Sequence, residues 1–330
     1  MNTFRAFRIS VSEEGRVQRS IETCNIADLP DGDVLIKVAY SSLNYKDALS
    51  ANGHRGITRK YPHTPGIDVS GKVVSDQTGT FTEGESVVVI GFDLGMNTWG
   101  GFGEYVRVPA TWVLRLPEGL SPSDAMRIGT AGVTAAYCVE KLLQAGLSGS
   151  NARVLVTGAT GGVGSIATHL LATLGYQVTA SSGKPEQADW LMSLGAKEVI
   201  DRHQLSESSK KALLAETYDA AVDSIGQDTL VNVIKSLKFG GSVAACGIVG
   251  GTALPLDIYP FILRGVNLLG VASADAPLGD RQRVLVKYAS LWKLPMLEAL
   301  CDEITLNELD SRIEEMLAGK IARRALVRIA

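Results

Sequence analysis

The chain of 330 residues is poor in groups that cross-link or hold metals: it has four cysteines and four histidines. The cysteines, Cys24, Cys138, Cys246 and Cys301, lie far apart and fit neither a disulfide framework nor a zinc spacing. No bound metal is expected, and a reducing compartment, the cytoplasm, is the simplest expectation. Long apolar runs are missing too. None approaches the roughly 18–20 residues that span a bilayer, and Met1-Asn-Thr-Phe-Arg-Ala-Phe-Arg8 lacks the apolar core of a signal peptide. No membrane partner is expected. Nor is there an excess of one charge: 32 basic against 35 acidic residues leave a net −3. A nucleic-acid partner needs a clustered basic surplus, so that class is excluded as well.

What is present is apolar material for sizeable cores, 45% of residues, in a length suited to two domains. Residues 1–125 carry short alternating runs, such as Val34-Leu-Ile-Lys-Val-Ala-Tyr40 and Ser86-Val-Val-Val-Ile90, between turn clusters at Pro30-Asp31-Gly32, Pro65-Gly66 and Gly100-Gly101. They predict a β-rich module. Residues 126–273 alternate strand and helix patterns. Strands are expected at 153–157, 177–182, 197–201, 219–224, 241–247 and 266–272, with helices between most of them, for example 185–194 and 229–237. That rhythm predicts an α/β doubly wound parallel sheet. The segment 274–330 holds helical patterns at 281–292 and 309–317 and closes on a strand-like 325–329. The polar stretch 206–211 reads as a solvated helix start.

The most informative stretch is Arg153-Val-Leu-Val-Thr-Gly-Ala-Thr-Gly-Gly-Val-Gly164. A buried strand stops at a glycine turn, and a helix follows at 165–175. Glycines let the backbone approach a pyrophosphate, and the helix start offers it free N–H groups and a positive dipole end. Strand, turn and helix together predict dinucleotide binding, with Ala159 in the first glycine slot. An NAD-binding sheet places a carboxylate at the end of its second strand to hold the ribose 2′-hydroxyl. Here Ser181-Ser182-Gly183-Lys184 stands there, and no acid appears before Glu186. A hydroxyl donates to a phosphate and a lysine neutralises it, so NADPH is the expected cofactor. Arg202, past the third strand, reads equally as a second cation for that phosphate or as an exposed loop arginine.

The chain resembles the medium-chain dehydrogenase/reductase superfamily along nearly its whole length, and within it the zinc-free acryloyl-CoA reductases. The matching stretches are Ser41-Ser-Leu-Asn-Tyr-Lys-Asp-Ala48, Pro65-Gly-Ile-Asp68, Trp99-Gly-Gly101, Ile128-Gly-Thr-Ala-Gly132, Thr157-Gly-Ala-Thr-Gly-Gly-Val-Gly164, Ala244-Ala-Cys-Gly247 and Pro260-Phe-Ile-Leu-Arg264. The resemblance implies a GroES-like catalytic domain, 1–125, a Rossmann domain, 126–273, and a C-terminal segment, 274–330, returning to the first. Where zinc-dependent relatives carry a cysteine and a histidine ligand, this chain has the Asn44–Asp47 segment and Ile67, and the structural zinc lobe has no counterpart. Zinc needs three protein ligands. A metal-free site suits reduction of an already activated double bond better than alcohol oxidation.

The resemblance further implies reduction of acryloyl-CoA, or a short 2-enoyl-CoA, to propanoyl-CoA, with hydride delivered to the β-carbon. Asn44 and Tyr45 are expected beside nicotinamide and substrate. Tyr45 reads as proton donor, as cofactor-positioning group, or as packing. Asn44 reads as a donor to the developing oxyanion, and Asp47 as a helix-start residue. Thr130 reads as a partner of the carboxamide or as a plain N-cap. Thr160, Gly161, Gly162 and Val163 match the pyrophosphate loop, and Ser182, Gly183, Lys184 and Arg202 the 2′-phosphate site. Ile248, Ser273 and Arg324 match the nicotinamide and outer-ribose surroundings more loosely. His54, Arg55, Arg59, Lys60 and Arg264 are candidates for the CoA phosphates. Cys246 reads as a small buried apolar residue and His169 as structural. An NADPH-quinone or alkenal reductase, and an NADPH-binding protein without turnover, stand as alternatives. The apolar sixth strand would be an exposed edge, so a homodimer is expected.

Overall fold

Period-two alternation makes the first third of the chain a run of strands. The computed structural model describes residues 2–329. The order begins with β1 (Thr3–Val11), β2 (Val17–Asn25), β3 (Val34–Leu43), α1 (Tyr45–Ala51), β4 (Asp68–Asp76), β5 (Ser86–Ile90), β6 (Tyr105–Val108) and β7 (Leu114–Arg115). Then come α2 (Pro122–Gln144), β8 (Arg153–Val156), α3 (Gly162–Thr173), β9 (Gln177–Ser182), α4 (Ala188–Ser193), β10 (Glu198–Asp201), α5 (His203–Ser206) and β11 (Tyr218–Asp223). The remainder is α6 (Gln227–Ser236), β12 (Leu237–Ala245), α7 (Tyr259–Arg264), β13 (Asn267–Gly270), α8 (Leu278–Ala289), β14 (Cys301–Thr305), α9 (Leu309–Leu317) and β15 (Arg324–Arg328). The chain divides into two units. Among the described residues the first takes 2–130, 274–293 and 297–329, and the second 131–273 and 294–296.

In the first unit β1 pairs with β2, and a second sheet runs β14-β15-β3-β4-β5-β7, with β6 also on β3. Its core divides in two. One part packs Val34, Ile36 and Val38 of β3 with Val69, Val87, Val106 and Val108. The other buries Ala48 and Ala51 of α1 against Leu309 and Ile313 of α9. Burying each such leucine or isoleucine is worth about 1.5–3 kcal/mol, so this contact fixes where α1 begins. β15 lies antiparallel to β3 with Ala325 opposite Leu43. That register brings Arg324 beside the β3–α1 corner.

The second unit is a six-stranded sheet in the order β10-β9-β8-β11-β12-β13, parallel throughout. Read from its first strand, this is the 3-2-1-4-5-6 order of a doubly wound dinucleotide-binding sheet, so the expected fold class holds. Strands covered on both faces must be apolar at every position. Val154, Leu155 and Val156 of β8 and Ala221 and Val222 of β11 are accordingly all buried.

Several boundaries differ from expectation. The first unit runs on to Thr130 rather than 125, because α2 is broken at Gly129 (φ 48°, ψ −160°). Leu294–Met296 joins the second unit, where the Met296 N–H donates to His169 Nε2 at 3.2 Å. β12 starts at Leu237, four residues early, and α6 stops before it. Gly240 and Gly241 resemble a turn, but a register shift between Tyr218 and Ala220 lets the strand pass through them. The stretch 206–211 starts no helix. α5 ends there, and the chain beyond is pinned by Asn232 Nδ2 on the carbonyls of Leu205 and Glu207 and by Lys235 Nζ on Ser209 O.

Candidate functional site

The second unit holds the glycine turn. Gly161 caps α3, and Gly161 N–H donates to Gly158 O at 2.9 Å. A Cβ on Gly164 would lie 2.2 Å from Gly158 O, so only glycine lets helix and turn close up. The N–H groups at the start of α3, at Gly162 and Val163, face a partly open surface, as an anion site requires. Asp223, buried at the end of β11, ties the turn down. Its carboxylate accepts from Thr157 Oγ1 at 2.6 Å and from Gly226 N at 2.8 Å. Burial raises the Asp223 carboxyl above its ordinary range, while these bonds hold it back. Nothing in the local sequence pattern singled out Asp223.

Beyond β9 the backbone N–H of Lys184 donates to Ser182 Oγ at 3.0 Å, and Ser182 Oγ lies 3.5 Å from Thr160 Oγ1. Arg202 lies over Gly183, so close that a Cβ there would meet its side chain at 2.6 Å. Burial, opposed by Glu186 and reinforced by Arg202, lowers the Lys184 ammonium below its usual range. Neither cation forms an ion pair among the described residues. Two unpaired cations around a hydroxyl, with no carboxylate on the strand end, fit a phosphate monoester and disfavour a bare ribose diol.

After β12, Ile248 is 67% exposed and, with Tyr137, Cys246, Gly247, Leu254 and Ala272, lines a cavity of about 740 Å³. Cys246 is only partly buried and its thiol reaches Asp223 O at 3.4 Å, which corrects the expectation of a buried apolar residue. Ser273 Oγ lies 2.6 Å from Thr134 Oγ1. His169 bridges Leu194 O and Met296 N, and burial lowers its pKa, so it is structural.

The first unit gathers the other expected residues around one carboxylate, Asp68. Asp68 Oδ2 accepts from Ser42 Oγ at 2.6 Å and Asn44 Nδ2 at 2.8 Å, and Oδ1 accepts from Thr130 Oγ1 at 2.6 Å. The Thr130 N–H reaches both oxygens, at 3.1 and 3.0 Å. Asp47 sits at the third position of α1. It accepts from the N–H groups of Asn44, Gly66 and Ile67 at 2.8, 3.1 and 2.9 Å. Burial and the nearby Asp68 push the Asp47 carboxyl up to about 7. The start of α1 is thus fixed, and Tyr45, its first residue, projects 47% exposed.

Two expectations change here. Asn44 is not an oxyanion donor: its amide hydrogens are spent on Asp68, with Asp47 Oδ2 and Ser42 O each at 3.3 Å. Arg324 is not placed for cofactor. It is 3% exposed and donates to Ser42 Oγ at 2.8 Å and, at 3.4 Å each, to Asn44 Oδ1 and Met126 O. A third concerns the second unit. Arg264 donates to the carbonyls of Lys235, Leu237 and Leu214 at 2.8, 3.1 and 2.6 Å and pairs with Glu216 at 3.5 Å, which makes it a strut rather than a CoA contact. His54, Arg55, Arg59 and Lys60 remain on an exposed loop. The Asn44–Asp47 segment and the aliphatic Ile67 carry neither a thiolate nor an imidazole and do not suit zinc. Among the described residues no three His, Cys, Asp or Glu side chains cluster as a metal site would require.

Known proteins resemble the chain throughout. Residues 30–118 match the alcohol dehydrogenase GroES-like domain, and 162–286 match a family model described as zinc-binding dehydrogenase. An acrylyl-CoA reductase of Ruegeria pomeroyi is 42% identical over 325 residues, 98% of both chains. A putative quinone oxidoreductase of Bacillus subtilis is 43% identical over 310 residues, 94% of both. An oxidoreductase of Salmonella enterica solved in complex with NADP superposes with a TM-score of 0.95 at 39% identity, covering 99% of this chain and 100% of that one. A Bacillus subtilis protein with NAD bound gives 0.95 at 41% identity, with the same coverage.

Proposed function

The chain belongs to the zinc-free branch of the medium-chain dehydrogenase/reductase family, and from that premise we propose that it reduces acryloyl-CoA, or a short 2-enoyl-CoA, to propanoyl-CoA with NADPH. It is an oxidoreductase that uses a nicotinamide cofactor. The observation that carries the substrate is the 42% identity to an acrylyl-CoA reductase over 98% of both chains. Lys184 and Arg202, unpaired beside a strand end without a carboxylate, support NADPH over NADH.

A thioester conjugated to a double bond makes the β-carbon electrophilic, and no metal is needed to activate it. The bound cofactor supplies the hydride. Thr160, Gly161, Gly162 and Val163 hold its pyrophosphate, and Ser182, Gly183, Lys184 and Arg202 its 2′-phosphate. Ile248 and Ser273 belong to the nicotinamide side. As charge develops on the thioester oxygen a proton must reach the α-carbon. Tyr45 gives that proton or positions the cofactor, and Asn44 keeps Tyr45 at the start of α1. The basic loop of His54, Arg55, Arg59 and Lys60 meets the CoA phosphates.

Steady-state rates with acryloyl-CoA, crotonyl-CoA and a simple quinone, in the presence of a chelator, test the reading. NADPH loss with acryloyl-CoA far faster than with quinone supports it. Loss with quinone alone would move the chain to the reaction named for its Bacillus subtilis relative.

The protein forms a homodimer in this proposal. β13 is an outer strand of its sheet, and Ile262, Leu263 and Leu268 around it are 66%, 57% and 37% exposed. Pairing across a two-fold axis would cover them. A monomer's mass by analytical ultracentrifugation would contradict this.

A further inference from the structure

We infer that Cys138 and Cys246 form an oxidisable thiol pair: a hydroperoxide that enters the cavity beside Ile248 converts them into one disulfide. The pair lies wholly within the second unit, and its chemistry is independent of which substrate the protein reduces.

The two cysteines stand far apart in sequence, and the fold brings them together. Thr134, Cys138 and Lys141 recur at i, i+4 and i+7, so they share one face of the second half of α2. The outer two are tied to the end of β13 and the residues after it. Thr134 Oγ1 lies 2.6 Å from Ser273 Oγ, and Lys141 Nζ donates to Gly270 O at 2.6 Å. Gly270 is paired with Ala245 at the end of β12, and the Val271 N–H donates to Ala245 O at 2.9 Å. Cys246 is the next residue. The middle of that helix face therefore meets the end of β12, and there the thiols adjoin. The Cys246 thiol and burial together hold the Cys138 thiol well above its ordinary range.

The pair is asymmetric. Cys138 is fully buried, whereas Cys246 is partly exposed and, with Tyr137 and Ile248, lines the cavity of about 740 Å³. The Cys246 N–H and thiol both donate to Asp223 O, at 2.9 and 3.4 Å, which fixes the sulfur in place. An oxidant from solution therefore meets Cys246 first, and Cys138, kept protonated, reacts only with what forms beside it. The Cys246 sulfur attacks the terminal peroxide oxygen and the O–O bond breaks. The departing oxygen takes the thiol proton and leaves as water or an alcohol. Cys138 Sγ then attacks the sulfenic acid on Cys246: the S–S bond forms, the S–O bond breaks, and the hydroxyl leaves with the Cys138 proton as water. Two thiols lose two electrons and one hydroperoxide gains them. The bond joins α2 to the end of β12 and ties two sides of the cavity together. Cys24 and Cys301 belong to the first unit, where burial raises both thiols, Cys301 to about 11, and they stay reduced.

The test treats the reduced protein with hydrogen peroxide, alkylates the remaining thiols and maps the digested peptides by mass. The expected product has lost two of its four thiols. It yields one linked pair of peptides, holding Cys138 and Cys246, that dithiothreitol separates, and it runs at single-chain mass on a non-reducing gel. Cys138→Ala should gain oxygen on Cys246 instead of losing hydrogen, because no second thiol is there to close the bond. Cys246→Ser should keep its three thiols. If either variant does not fold, the native peptide map still decides. Oxygen added to Cys246 without a link in the native protein would overturn the inference. So would a link through Cys24 or Cys301, a link between two chains, or four thiols still free.

Discussion

Replacing Lys184 by alanine should weaken NADPH binding strongly and NADH binding hardly at all. Lys184 is partly buried, and burial together with Arg202 already disfavours its charge. A phosphate monoester would restore that charge and gain a charge-assisted hydrogen bond, worth about 1.5–3 kcal/mol. The loss therefore corresponds to about 10- to 100-fold in Kd for NADPH. Arg202 is exposed and solvent-screened, so Arg202→Ala should cost about two- to fivefold. Removing Arg202 also removes a like charge beside Lys184, so the two losses should not add. Ser182→Asp keeps an acceptor for the Lys184 N–H but sets a carboxylate against the phosphate, and should turn the preference toward NADH. Titration of both cofactors at two salt concentrations measures all of this. An equal loss of NADH and NADPH in Lys184→Ala would refute the phosphate role, as would no loss of either.

Burial lowers the His63 imidazole to about 4, and it lies 2.9 Å from Gly95 O. A histidine held below its unfolded value of about 6.5 gives full stability above that pH and loses it as pH falls from 6.5 towards 4. Urea unfolding at pH 7 and pH 5 should differ by about 2 kcal/mol from this group, a difference His63→Gln should abolish. Arg264→Ala should cost about 3 kcal/mol of stability, because three carbonyls lose a charged donor, while KM for acryloyl-CoA stays unchanged. A raised KM in a fully stable Arg264→Ala protein would return that residue to the CoA site.

The legible parts of this chain were those with strong local periodicity. Leu309–Leu317 alternates core and solvent at helical spacing and folds as expected, and Gln177–Ser182 is a strand of mostly small, buried residues between glycines at 175 and 183. The cofactor turn was legible because strand, glycines and helix follow one another directly. The polar corner was not. Asp68 gathers donors from Ser42, Asn44 and Thr130, and its nearest cation, Arg324, is 256 positions away in sequence. No local pattern encodes such a meeting. The one trace was an acid at the very start of β4, before the small and apolar residues Val69-Ser70-Gly71. Arg324 and Arg264 looked like ligand contacts in the string because charge is visible there and burial is not. Once folded, their guanidinium groups are spent on carbonyls and hydroxyls of the chain itself.

The central claim is that hydride passes from NADPH to the β-carbon of an enoyl thioester. Acryloyl-CoA turned over with NADPH deuterated at nicotinamide C4, on the face that transfers, tests it most directly. The account predicts propanoyl-CoA carrying one deuterium at C3 and a solvent-derived hydrogen at C2. Propanoyl-CoA without deuterium at C3 when either C4 face is labelled, or labelled NADPH consumed only by a quinone, would contradict it.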